Sequence, residues 1–363
     1  KFKTEYIGKL TVTGKYTLAD LVALDKALGA SAEVTLDNDV NLSGKSADIA
    51  AALSNVTGYA GKITLTDKPT LDQLVKINAA TTEAIKIPTD LALSGTPTQI
   101  LQALNGVEGH KGNVNLTDAA SAADLNTITK ATAGAVTAEV EGSAAALNAA
   151  LKEVSANAIT VILTGTTATA KDLKELATKT SKTIDASGIE SITGNAADVK
   201  AALAITSLVA GTVAVTVTGA VTVSDIAAIK LLAATGVIKA TLEGSATELA
   251  TLTTSNSDLL TLKVTGTTAT ATELNTIDAA TSVKVNASAV TSISDAAVKL
   301  KTMYASKTIS GLGNEAVTIN DVAGASAEAV NAILKATTGK VTATVTADEA
   351  ADLVAVLTTA AAT

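Results

Sequence analysis

Along the chain, short stretches in which apolar residues alternate with Thr give way to stretches in which aliphatics recur three or four apart. Leu10-Thr11-Val12-Thr13, Ile63-Thr64-Leu65-Thr66, Val114-Asn115-Leu116-Thr117 and Val215-Thr216-Val217-Thr218 have the period of two expected of a half-buried strand. Leu262-Lys263-Val264-Thr265 has the same form with Lys outward. A glycine such as Gly14, Gly165 or Gly219 then marks a turn. The following stretch, with Leu74 and Ile77 or Leu274 and Ile277 three apart, predicts a short helix.

This unit repeats. An acidic or amide residue followed by an aliphatic recurs from Asp20-Leu21 through Gln73-Leu74, Asp124-Leu125, Asp172-Leu173, Asp225-Ile226 and Glu273-Leu274 to Asp352-Leu353. With three units that carry Ala in place of the polar residue (Ala146, Ala297 and Ala329), fourteen anchors span 332 residues from Leu21 to Leu353, about 25.5 per interval, within the range of solenoid repeats. Three residues earlier stands a side chain able to cap a helix: Thr17, Thr70, Thr96, Ser121, Ser143, Thr169, Asn195, Thr222, Ser245, Thr270, Ser294 and Ser326. Lys45 and Glu349 are the two exceptions. Ser245 to Glu248 and Thr270 to Glu273 are strict capping boxes, and Pro97 follows Thr96 at the first helical position. Units with aliphatics three apart alternate with Ala-rich units that have them four apart, as in Leu147 and Leu151. The second kind carries an extra apolar segment before its cap, as in Ile85-Lys86-Ile87 then Leu91-Ala92-Leu93, so the larger period is about 51 residues.

Strand, helix and strand in one sheet give a parallel, right-handed crossover. The expected fold is therefore an α/β solenoid of about fourteen strand–turn–short-helix repeats, with a parallel sheet on one face and helices on the other. Residues 1–363 are expected to form one continuous array, with an irregular insertion at 305–325 around Gly311-Leu312-Gly313-Asn314 and a weak sub-boundary there. Each helix is too short to be stable alone, so stacking has to supply its stability.

Composition narrows the function. The chain is 47% hydrophobic yet 1% aromatic, with no Cys, no Trp and one His, and all 27 basic residues are Lys. Without Cys there is no disulfide framework, thiol nucleophile or Cys-based zinc site. A net charge of −8, with neither Arg nor stacking aromatics, argues against nucleic-acid binding. The longest uncharged run, Ala201–Ser224, is interrupted by Thr and Gly and reads as helix end, turn, strand and turn, so no membrane span is expected. The absence of aromatics fits a thin Ala/Thr/Val core. The chain starts at Lys1, as expected of a fragment or a processed product.

Candidate chemistry is sparse. His110, between Gly109 and Lys111-Gly112, reads as a surface loop residue with no partners for a metal site. Asp37-Asn38-Asp39-Val40-Asn41 opens like a calcium loop, but Leu42 stands where Gly is required and no Glu occupies the twelfth position. Gly311-Leu312-Gly313 lacks the rest of a phosphate loop. The recurrent carboxylates read as helix caps, and the expectation is a protein without catalytic residues or cofactors.

Segments such as Ile192-Thr193-Gly194-Asn195-Ala196-Ala197-Asp198-Val199 and Val264-Thr265-Gly266-Thr267-Thr268-Ala269-Thr270 resemble the Thr/Ala-rich repeats of very large cell-surface, surface-layer and adhesin proteins of cyanobacteria and other bacteria. The resemblance covers nearly the whole chain and implies an extracellular structural or adhesive role, with the chain as its own partner and cell-surface glycan as a further one. It carries no site residues with it. The competing reading is a binding face for glycan, mineral or ice. It would be built from outward Thr11, Thr13, Thr64, Thr66, Thr117, Thr216, Thr218 and Thr265, and interrupted by Lys86, Lys239, Lys284, Glu139 and Glu141.

Overall fold

The computed structural model describes residue 6, residues 8–37, 40–151, 158–232 and 236–346, and residue 354. Among them are thirteen helices and five sheets, and every strand pair is parallel. The protein is an α/β chain in which strands and short helices repeat in order. They fall into two compact units. The first comprises Lys1–Gly165, Glu175–Gly188 and Thr206–Val209; the second comprises Thr166–Lys174, Ile189–Ile205 and Ala210–Thr363.

The core follows the predicted alternation. In Val136–Gly142 and Leu259–Val264 every second side chain is buried and its neighbours are exposed. The helices contribute their paired aliphatics: Leu74 and Ile77, Leu125 and Ile128, and Leu274 and Ile277 are completely buried. Successive helices lie side by side, Leu18–Asp25 against Ser46–Ala52 in the first unit and Ala271–Ala279 against Ala297–Ala305 in the second. Ala-rich faces permit this close approach.

The strand ladders and the helices do not keep the same step. In the first unit, Leu42 pairs with Ile63, Ile63 with Ile85 and Ile85 with Val107, steps of 21 and 22 residues. The helices meanwhile start at Ser46, Leu71 and Pro97, 25 and 26 apart. Each strand therefore falls further behind its helix. Leu42–Gly44 ends one residue short of its helix, whereas ten residues separate Ile85–Lys86 from Pro97. A new strand, Leu93–Gly95, occupies that gap and founds the next sheet, pairing with Val114–Leu116. The second unit repeats the device: Thr268–Thr270 appears directly before the helix at Ala271 and founds a four-stranded sheet. This slip is why the strands form several sheets. It also corrects the expected alternation of single- and double-segment repeats. Double-strand repeats come in runs, as at Ile85/Leu93 followed at once by Val107/Val114.

The region 305–325 does not interrupt the ladders. Ile309 pairs with Val285 and Ala316 with Ser292, both at a step of 24. The additional residues lie in Asn320–Ala325, before the helix Ala327–Leu334. The uncharged run Ala201–Ser224 divides into a helix end, the strands Leu208–Ala210 and Ala214–Thr218, and the start of the next helix. No described helix is long and apolar enough to cross a membrane.

Candidate functional site

Eleven of the twelve proposed caps accept a hydrogen bond from the backbone amide three residues on, as Thr70 does from Gln73 and Asn195 from Asp198. Full reciprocal boxes form at Thr17, Thr70, Thr96, Thr222 and Thr270; Ser245 makes only its own half. Ser294 is the failure. It lies in the strand Ser292–Asp295, and the helix Ala297–Ala305 begins after Ala296, which has no capping side chain. The amide of Ala297 is met instead by Asp321 Oδ2 at 2.8 Å, from the following repeat. The helix after Lys45 is served the same way, by Asp67 on the amide of Ser46 at 2.8 Å. A carboxylate one repeat away thus replaces the missing local cap. Glu349 lies outside the described residues.

Asp67, Asp198 and Asp225 are held ionised by their partners. The amide of Ser46 keeps Asp67 below the usual carboxylate range. The Lys174 ammonium, then Asn195, does so for Asp198, and Lys200, then Thr222, for Asp225. Lys174 to Asp198 and Lys200 to Asp225 (2.6 Å) form successive bridges from one helix to the next. Burial opposes ionisation of Glu273, but hydrogen bonds from Thr270 and Thr247 outweigh it. The acids are structural devices with partners already in place, and they converge on no cleft.

A second set of polar residues escaped the sequence reading. Thr81, Thr132, Thr180, Thr281 and Thr337 each stand ten residues after a helix start, in the units with aliphatics three apart. Each hydroxyl donates to a carbonyl of the preceding repeat: Thr81 to Tyr59, Thr132 to Gly112, Thr180 to Ile159, Thr281 to Leu260 and Thr337 to Glu315. It also accepts the amide two residues on, as from Glu83, Gly134 and Val283. Four of the five are buried. The signal was present as a spacing of 51 between Thr81 and Thr132, but Thr is too common in this chain for it to stand out.

His110 corrects the surface reading. It is only 2% exposed, and its Nε2 lies 2.7 Å from the carbonyl of Leu91. Its own carbonyl accepts the amide of Ala133, the position Tyr59 and Asp258 hold against Thr82 and Ser282. The two glycines beside it serve different ends: Gly109 takes a positive φ of 64° with open space around it, whereas a Cβ on Gly112 would sit 1.8 Å from the Leu91 carbonyl oxygen. Asp258 and Glu315 are also fully buried. Asp258 accepts from the amide of Ile238 (2.9 Å) and from Lys230 (3.2 Å). Glu315 accepts from Tyr304 and from the amides of Gly313 and Asn314. The two amides at the end of the Gly311-Leu312-Gly313-Asn314 turn, those of Gly313 and Asn314, are therefore directed at a carboxylate of this chain. Burial, then the bond to Glu315, raises the Tyr304 phenol.

In the segment Asp37-Asn38-Asp39-Val40-Asn41, which opens like a calcium loop but lacks its Gly and Glu, Asn38 and Asp39 lie outside the described residues. Among the described residues no three His, Cys, Asp or Glu side chains group as metal ligands.

Of the outward Thr residues, Thr11, Thr13, Thr66, Thr117, Thr218 and Thr265 are exposed, and Thr64 and Thr216 are half-buried. They do not form one rank. Thr64 stands in register between Ser43 and Lys86, and Thr216 between Thr193 and Lys239. The longest row of hydroxyls was not foreseen: Thr270, Ser294, Thr318 and Thr342 stand side by side on successive strands. Thr270 is also a helix cap. Comparison of the sequence with protein-family models and with curated proteins finds no match.

Proposed function

We propose that this is a non-enzymatic, extracellular structural protein, a stretch of solenoid that self-assembles in or on a cell surface as part of a layer, filament or adhesin stalk. The observation that carries the reading is the use of polar groups. The relayed caps of Asp67 and Asp321, the buried Thr corners and the interhelical bridges all hold one repeat to the next. Such an array spans distance by adding repeats, each marginal alone and stable against its neighbours. Its partner is a second copy of itself. Sedimentation velocity over a range of protein concentrations tests this: species larger than the monomer should grow with concentration.

The second reading, a glycan-, mineral- or ice-binding face, draws on the exposed Thr residues and on the row Thr270–Ser294–Thr318–Thr342. Lys86 and Lys239, in register with Thr64 and Thr216, weaken it. Replacing Thr64 and Thr216 with Lys should abolish such binding if this reading holds, and leave self-association unchanged if the first does.

A further inference from the structure

The outward positions of a half-exposed sheet are expected to be polar. Two places break that rule, and their flanking charges are opposite. In the first unit, Ile162 stands in register between Glu141 and Asp185, Val209 (53% exposed) lies on the strand beyond that of Asp185, and Glu139 is two residues from Glu141 on the same strand. In the second unit, Leu259 (43% exposed) stands in register with Lys239, and Val237 is exposed beside it. Lys284 precedes the next strand but one. No described residue hydrogen-bonds or ion-pairs with the side chains of Glu139, Glu141, Lys239 or Lys284. By contrast, Lys263 and Glu243 on the same sheet already neutralise each other at 3.2 Å.

We propose that the acid-rimmed apolar patch of the first unit docks onto the base-rimmed apolar patch of the second unit of another copy of this chain. The inference rests on the self-assembly reading and names the surfaces that would carry it. Apolar side chains at the centre with charges around them are the usual anatomy of an interface. The charges choose the pairing. Acid patch against acid patch is repelled, as is base against base, so a closed two-fold dimer through either patch is disfavoured. The favoured contact is therefore between unlike surfaces, the acid patch of one copy against the base patch of another.

Two charge-reversed variants test it: Glu139→Lys with Glu141→Lys, and Lys239→Glu with Lys284→Glu. Circular dichroism confirms that each is folded, and sedimentation velocity reads association. Each variant alone should associate at least about tenfold more weakly than the unmodified protein. An equimolar mixture should associate again, since one variant then carries two predominantly basic patches, Asp185 apart, and the other two acidic ones. If a reversed variant does not fold, Glu139→Gln with Glu141→Gln and Leu259→Asp take its place, and both should weaken association. Association of the unmodified protein that survives both reversals, or a mixture no more associated than its components, overturns the patch assignment and leaves self-assembly standing. Absence of association by the unmodified protein at every salt concentration overturns both.

Discussion

At the scale of single residues, stability rests on polar groups that reach back one repeat. Thr281 bonds to the Leu260 carbonyl at 2.8 Å and receives the amide of Val283 at 3.0 Å while 4% exposed. Thr281→Val keeps the shape and leaves both groups unpaired, which should cost about 1–3 kcal/mol in urea unfolding; Thr281→Ser should retain most of the bond. Gly112→Ala forces a Cβ into the Leu91 carbonyl and should destabilise the first unit, lowering the thermal midpoint with an intact fold at low temperature. Both roles were hard to read in the sequence. A buried Thr looks like any other Thr in a chain dominated by Ala and Thr. The glycines around His110 read as a loop, whereas the smallness of Gly112 is what lets the Leu91 backbone and the His110 ring pack against it.

At the scale of elements, local signals were legible and relayed ones were not. Hydroxyl-to-amide capping depends on residues three apart, so eleven helix starts could be placed from spacing alone. Thr70→Ala should cost about 1 kcal/mol by removing such a cap. Asp67 and Asp321 cap helices one repeat away, and no local spacing encodes that. The ladder slip was hidden for the same reason: strand alternation places a strand but does not set its register against the next. The capping acids also fix the pH response. Asp20, Asp67, Asp198 and Asp225 have native values below their unfolded ones, so in acid the unfolded chain binds more protons. Their contribution is complete above the unfolded value of about 3.9 and is lost as pH falls through the lower native values. Thermal midpoints should therefore hold from neutrality down to about pH 5 and drop below it, and Asp198→Asn should flatten that drop.

At the scale of the molecule, repetition predicted the α/β class and the parallel pairing, because each strand–helix unit has only one neighbour to pair with on either side. The division into two units was not legible. It depends on which strands share a ladder, and the chain crosses between the units repeatedly between Gly165 and Ala210. We propose that repeats which hold one another within a chain belong to a protein that also assembles between chains. Negative-stain electron microscopy of the purified protein, across protein and salt concentrations, tests it most directly. Ordered filaments or sheets, dissolving as salt screens the contacts, are the predicted result. Dispersed monomers under every condition would contradict the account.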